Sequence, residues 1–325
     1  MSSIAANITR IQRKGPILQI VVLVVLFFYG KATITGFAGN AAAFNSLLVL
    51  AALLGLAAAG QTFVIILQGL DLSVPGFIVG GAVLISELCG AHGWPFVPAL
   101  ILAVVLAGLL GGTSGWICQR YRVQPLIVTL GMSSLVLGIS LVATGGKLTG
   151  SAPEFMSTVS SPTGTTFGLE VPPVVIIWVI VTLILAFVLY RTPLGRRIYA
   201  TGANPRAAGI ARVPVAKVWT GVFAFSAICS ALVGILLAGF AGADQTIGDP
   251  YLFTGLTAVI VGGVTFGGAH GDYTHTAIGA LILIVLQSIL IGHGVETAEQ
   301  QIIYGVLILL VVAGYGRDRR VQDRI

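Results

Sequence analysis

Charge is what this sequence has least of. Only 9% of its 325 residues are Asp, Glu, Lys or Arg, where soluble domains carry about 25%. With 56% hydrophobic residues and a mean hydropathy of +1.01, there is no polar coat for a water-soluble globule. Cysteine is nearly as scarce: Cys89, Cys118 and Cys229 lie far apart in or beside apolar runs, where the residue acts as a small hydrophobe, so no disulfide or redox reading follows. The four histidines are scattered, and the one close group, His270, Asp272 and His275, reads as a polar inside loop and not as a metal site. No catalytic constellation and no metal-binding cluster is expected. Gly262 to Gly271 is Gly-rich but lacks the Lys and following Ser or Thr of a phosphate loop, so the chain is not expected to bind ATP. Strict alternation of apolar and polar residues is missing too, which excludes a membrane β-barrel.

What is present is a series of long apolar runs, at about 16–36, 44–68, 75–90, 96–118, 125–146, 172–190, 217–241, 252–267, 275–292 and 300–315. A helix needs about 20 apolar residues to cross a bilayer. The expectation is an all-α, polytopic membrane protein with about ten transmembrane helices, one membrane domain over 1–325. The third and eighth runs are short and Gly-rich, and are expected to be tilted or broken. The first run follows basic residues as a signal peptide would, but is too long and lacks a small-residue cleavage site, so it reads as a retained helix.

The net charge of +6 suggests nucleic acid only until the charges are placed. With a cytosolic N-terminus, the inside segments collect Arg10, Arg13 and Lys14; Arg120 and Arg122; Arg191, Arg196, Arg197, Arg206, Arg212 and Lys217; and Arg317, Arg319, Arg320 and Arg324. Fifteen of the 17 basic residues therefore fall inside, leaving only Lys31 and Lys147. That split matches the rule that Lys and Arg stay cytosolic, and it predicts an even number of spans with both termini inside.

The inside loop at about 191–217 holds six of those 17 residues. Thr192-Pro193 and Asn204-Pro205 each place a capping side chain before a proline, the signature of a helix start. Two short helices are predicted: one through Leu194, Ile198 and Tyr199 to a stop near Gly202, and one from Pro205 to Ala211. The second has side chains small enough for another protein to approach its backbone. The longest outside loop, 146–171, reads as solvated. Phe77 to Gly81 recurs as Val259 to Gly263, five spans apart, which suggests two halves in an inverted repeat. Asp71 closes a strongly apolar run, where a carboxylate is costly unless it caps a helix or meets a partner. Capping of the helix near Pro75 by Asp71 or Ser73 is the preferred reading, with a proton relay as the alternative.

At these residues the chain resembles the permease subunits of ribose-type ABC importers. Gln68 to Pro75 is similar to the family's GlyGlyIleAspLeuSerValGly element, and Pro125 to Gly131 to its Pro-x-Ile-x-Thr-Leu-Gly element. Thr192 to Asn204 and Ala258 to Gly268 resemble two further family motifs in the same order. Gln68, Pro75 and Ala203 stand where the family has glycines, and Ala269-His270 widens the last glycine cluster. The resemblance implies a permease, not an enzyme, in the bacterial inner membrane. It implies as partners cytosolic ABC ATPase subunits, a periplasmic substrate-binding protein and a second permease copy or paralogue. ATP and Mg would sit on the ATPase, and no cofactor on this chain. Asn204, Pro205, Arg206, Ala207, Ala208, Gly209 and Ile210 would form the coupling helix. Gln61, Thr62, Gln68, Thr129 and Ser133 are candidate groups along the pathway for a sugar or similar small polar molecule, with Asp71 and Ser73 as a structural motif.

An ion-coupled secondary transporter or channel is the competing class. Such proteins usually carry ionisable sites at the midplane. Here the polar groups within the runs are neutral: Gln61, Gln68, Thr129, Ser133, Ser134, Ser226, Ser230 and Gln287. Neutral hydroxyls and amides suit a polyol better than an ion. A passive membrane scaffold is a third class, and it gives no reason for so many Gly-rich packed spans.

Overall fold

The computed structural model describes residues 16–264, 269 and 271–322, the side chains of 314–322 excepted. Arg10, Arg13, Lys14, Arg324, His270 and residues 265–268 of the late glycine run lie outside the described residues. In chain order the helices are α1 (Ile17–Thr33), α2 (Ala41–Ile66), α3 (Val74–Ile85), α4 (Phe96–Tyr121), α5 (Pro125–Thr144), α6 (Glu154–Ser160), α7 (Pro173–Arg191), α8 (Pro193–Ala203), α9 (Pro205–Ile210), α10 (Val215–Ala241), α11 (Asp249–Gly262), α12 (Tyr273–Gly292) and α13 (Thr297–Gln322). A π-helical turn, Ser86–Ala91, prolongs α3. The chain is an all-α, polytopic membrane protein.

Each of the ten apolar runs became a helix, but they are not alike. Among the described residues, seven helices are long and apolar enough to cross a membrane: α2, α3 with its π turn, α4, α5, α7, α10 and α12. The apolar parts of α1 and α13 are shorter, and α11 has 14 residues. The irregular third and eighth runs are α3 and α11. The former changes to π geometry at Ser86, and the latter stops at the left-handed Gly263, φ 106°.

Capping residues set many of the boundaries. Asn40 Oδ1 accepts from Ala43 N at 2.7 Å to start α2. Proline opens α5 and α7, where a missing N–H costs nothing. α2 is apolar on every side, so it can be stable only when surrounded; it is buried almost throughout its second half. α10 lies against α2 and is the other central helix.

The packing around this pair is reciprocal. α3 and α4, which follow α2, pack on α10, while α11 and α12, which follow α10, pack on α2. α5 then packs on α3 and α13 on α11, so two runs of four helices stand in the same mutual relations. Contacts of this kind rest on small residues, because lipid supplies no hydrophobic force between helices. A Cβ added to Gly60 on α2 would lie 2.3 Å from Ser226 Cα on α10, and one added to Gly234 on α10 would lie 1.9 Å from Ile78 O on α3.

The 146–171 loop is not simply solvated, as its composition suggested. Its α6 segment packs on α10 with Met156 buried, and Ser160 Oγ donates to Leu236 O at 3.0 Å. Glu87, in the π turn, accepts from Thr149 N at 2.7 Å and Gly150 N at 3.1 Å. Backbone donors that a free loop would show to water are thus bound to a neighbouring helix end.

Candidate functional site

Two regions gather the residues that the sequence singled out. One is the link from Leu67 to Ser73 between α2 and α3. The other is the α8–α9 loop.

The link is built around Asp71, which is 4% exposed. Its Oδ1 accepts from Ser73 N at 2.9 Å and from Ser73 Oγ at 2.5 Å, and its Oδ2 accepts from Ser226 Oγ of α10 at 2.6 Å. The expected cap of α3 therefore needs correcting. Ser73 stands at the N-cap position but makes no side-chain capping bond, because its hydroxyl is given to Asp71. The cap comes from another helix: Ser133 Oγ of α5 accepts from Gly76 N at 3.2 Å. One turn earlier on α5, Thr129 Oγ1 accepts from Leu72 N at 3.0 Å and donates to Pro125 O at 2.9 Å. At 1.5 Å per residue, Ser133 and Ser226 lie roughly 12 to 16 Å along their helices from the starts of α5 and α10, so the link is recessed into the bundle.

The remaining candidates lie elsewhere. Thr62 Oγ1 donates to Ala58 O at 2.8 Å, and meets Thr276 Oγ1 of α12 at 2.8 Å, joining α2 to α12. Gln61 is buried on α2 against α11; a Cβ on Gly255 would lie 2.6 Å from its Oε1, which has no hydrogen-bond partner among the described residues. Gln68 has a left-handed backbone, φ 63°, and is exposed. Its Nε2 donates to Gly202 O at 2.8 Å, so it ties the link to the end of α8 and does not join the cluster around Asp71.

In the loop, Thr192 Oγ1 caps α8 by accepting from Gly195 N at 3.3 Å. Asn204 Oδ1 caps α9 by accepting from Arg206 N and Ala207 N, both at 3.0 Å. Pro205, Arg206, Ala207, Gly209 and Ile210 are exposed, Ile210 to 87%. Ala208 differs: it is 4% exposed and faces the protein.

The loop is fastened by Asp272, which the sequence placed only in a polar inside loop, together with Tyr199 and Tyr190, the last of which the sequence did not single out. Asp272 caps α12, accepting from His275 N at 3.1 Å and Thr274 Oγ1 at 2.5 Å. The Tyr190 hydroxyl, at the end of α7, also donates to Asp272. Burial opposes the Asp272 carboxylate, but the bonds from His275, Thr274 and Tyr190 outweigh it and hold its pKa below the usual value. Tyr199 OH of α8 donates to Gly271 O at 2.7 Å, and burial together with nearby Asp272 pushes that phenol up to about 12. Asp272-Tyr273 reads as a helix start. Nothing along the chain pairs Asp272 with Tyr190, 82 positions away, or Asp71 with Ser226, 155 positions away.

The bundle has a recessed polar link and a small-residue helix outside it, and comparison with known proteins shows the family in which it occurs. Residues 43–312 match the family described as the permease component of the branched-chain amino acid transport system. Over 260 residues the chain is 34% identical to the ribose import permease protein of Haemophilus influenzae, covering 78% of this chain and 79% of that one. It is 32% identical over 260 residues to the ribose import permease protein of Bacillus subtilis, with 79% and 80% covered. It is 30% identical over 285 residues to the fructose import permease protein of Rhizobium meliloti, with 83% and 77% covered. No solved structure matches. The chain belongs to this permease family and is a ribose-type sugar ABC permease, not an enzyme.

Proposed function

We propose, with that membership as the premise, that the chain forms one half of the membrane core of a bacterial inner-membrane importer. A second copy or paralogue forms the other half. Two cytosolic ATPase subunits that bind ATP and Mg, and a periplasmic binding protein that delivers the solute, complete it. The names of the relatives, which carry ribose, fructose and allose, favour a sugar as cargo. Neutral hydroxyl and amide groups such as Gln61 and Thr129 suit such a polyol.

The observation that carries the mechanism is α9. Asn204 caps it at two donors, Ala208 anchors it to the protein, and Ala207, Gly209 and Ile210 are left uncovered. Ile210, 87% exposed, stands beside the small Ala207 and Gly209 on a six-residue helix outside the bundle, and this uncovered face supports the reading of α9 as a contact with another protein. Seated in an ATPase groove, α9 transmits movement through the Gln68, Tyr190 and Tyr199 bonds to the α2–α3 link and to the start of α12. The clustering of the basic residues supports cytosolic placement of this loop and of both termini.

The test is Ala207→Trp. Membrane abundance stays at the parental level, while co-purification with the ATPase and substrate-stimulated ATP hydrolysis fall. Parental transport at normal abundance sinks the coupling assignment. Single cysteines, Ala203→Cys and Thr163→Cys in a background without the three native ones, label oppositely with an impermeant thiol reagent in intact cells. Labelling of Ala203→Cys from outside sinks the topology.

A further inference from the structure

Between the end of α4 and the start of α10 lies a cavity of about 520 Å³ lined by Trp116, Gln119, Arg120, Arg122 and Ala216. Neither the transport reading nor the family match gives it a role. Four features of it select the same kind of ligand. Both arginines are exposed, and the only ion pair among the described residues is His275 with Asp272, so neither guanidinium is neutralised there. Arg120 is held in place: it sits over the Tyr121 ring at 5.7 Å, and that ring meets Trp116 edge-on at 5.8 Å. Arg122 is fixed in the left-handed region at φ 54° as the C-cap of α4. On the opposite wall, α10 begins at Val215 after Pro214 with no side-chain cap, and Ala216 of its first turn lines the cavity, so the positive end of a 27-residue helix lies beside it.

Two unpaired cations beside the positive end of a helix call for a phosphate. The half-exposed Trp116 and Tyr121 call for a ligand with an apolar body, since aromatic side chains of this kind settle where membrane meets water. The geometry points to a binding site for an anionic phospholipid: the phosphodiester lies between Arg120, Arg122 and the start of α10, the headgroup hydroxyls meet the Gln119 amide, and the first acyl carbons lie along Trp116. A basic pocket between helix ends at the membrane surface is the kind of place where such headgroups are held.

The full chain is reconstituted in nanodiscs of mixed phosphatidylglycerol and phosphatidylcholine, and retained lipid is counted by native mass spectrometry after transfer to detergent. The unaltered chain holds a phosphatidylglycerol that Arg120→Gln/Arg122→Gln releases roughly thirtyfold more readily, on the order of fivefold for each cation at a charged surface. Trp116→Leu, which leaves every charge in place, weakens retention by a smaller factor and covers the case in which the double variant does not fold. Inorganic phosphate at millimolar concentration does not displace the lipid. Equal retention by the unaltered chain and Trp116→Leu, together with equal retention by a folded double variant, overturns the site. Displacement by inorganic phosphate overturns the lipid and leaves an anion site. Neither readout uses ATP or transport.

Discussion

The two polar regions of this membrane protein are built on opposite plans. Around Asp71, the carboxylate, three serine hydroxyls, a threonine hydroxyl and three backbone N–H groups are paired with one another across the α2–α3 link, α3, α5 and α10, all recessed in the bundle. Around α9, hydrogen bonds fix the ends of the segment and leave its outer face bare. Satisfied polar groups in an apolar interior specify one arrangement of helices, because any other leaves a donor or a charge without a partner. A bare face on a short helix specifies nothing until something covers it. The first region holds the permease together; the second, on the function proposed above, is where the ATPase would dock.

Substitutions separate the two plans, and the most severe belongs to the link. Asp71→Ala leaves the Ser73 and Ser226 hydroxyls and the Ser73 N–H without an acceptor, a loss of about 1 to 3 kcal/mol for each buried donor that stays unpaired. The variant should be scarce in membranes and melt far lower in detergent; normal abundance and melting would remove Asp71 from its structural role. Next comes Ala208→Trp, whose site faces the protein, unlike Ala207. Overpacking there costs roughly 1 to 3 kcal/mol, so thermal stability should fall along with ATPase binding. A stable Ala208→Trp that merely uncouples would erase the distinction between the two faces of α9.

Asn204→Ala removes the cap of α9 and costs about 1 kcal/mol. It should lower substrate-stimulated ATP hydrolysis several-fold with little change in membrane abundance, and loss of abundance would mean that the bundle depends on α9. The smallest effect is expected from Gln61→Ala with Thr129→Ala, at about 0.5 to 1.5 kcal/mol per hydrogen bond. Transport should weaken moderately in protein that assembles normally. Unchanged uptake would take both groups off the pathway, and abolished uptake with poor assembly would assign Thr129 to the link alone.

The α8–α9 loop was legible in advance because its determinants are local. Thr192 and Asn204 act on N–H groups two or three residues away, and a proline next to each cap marks the same boundary. The link was only half legible. Asp71 stood out as a carboxylate closing an apolar run, and Thr129 and Ser133 stood out as polar residues in another run, but nothing in their spacing said that the second pair would serve the first. Ala207 and Ala208, adjacent and identical, could not be told apart until the helix was seen against the protein.

The sequence by itself determined the solvent of this fold, where its apolar segments lie and the ends of its short helices. Each of these follows from composition within about 20 residues or from a capping bond across three. Only the tertiary structure decided that α2 and α10 are the central pair, that α5 caps α3, and that Ser226 and Tyr190 complete carboxylates far along the chain. Those outcomes depend on which small residues let two helices approach, and that choice is made between helix surfaces that meet only after the chain has folded.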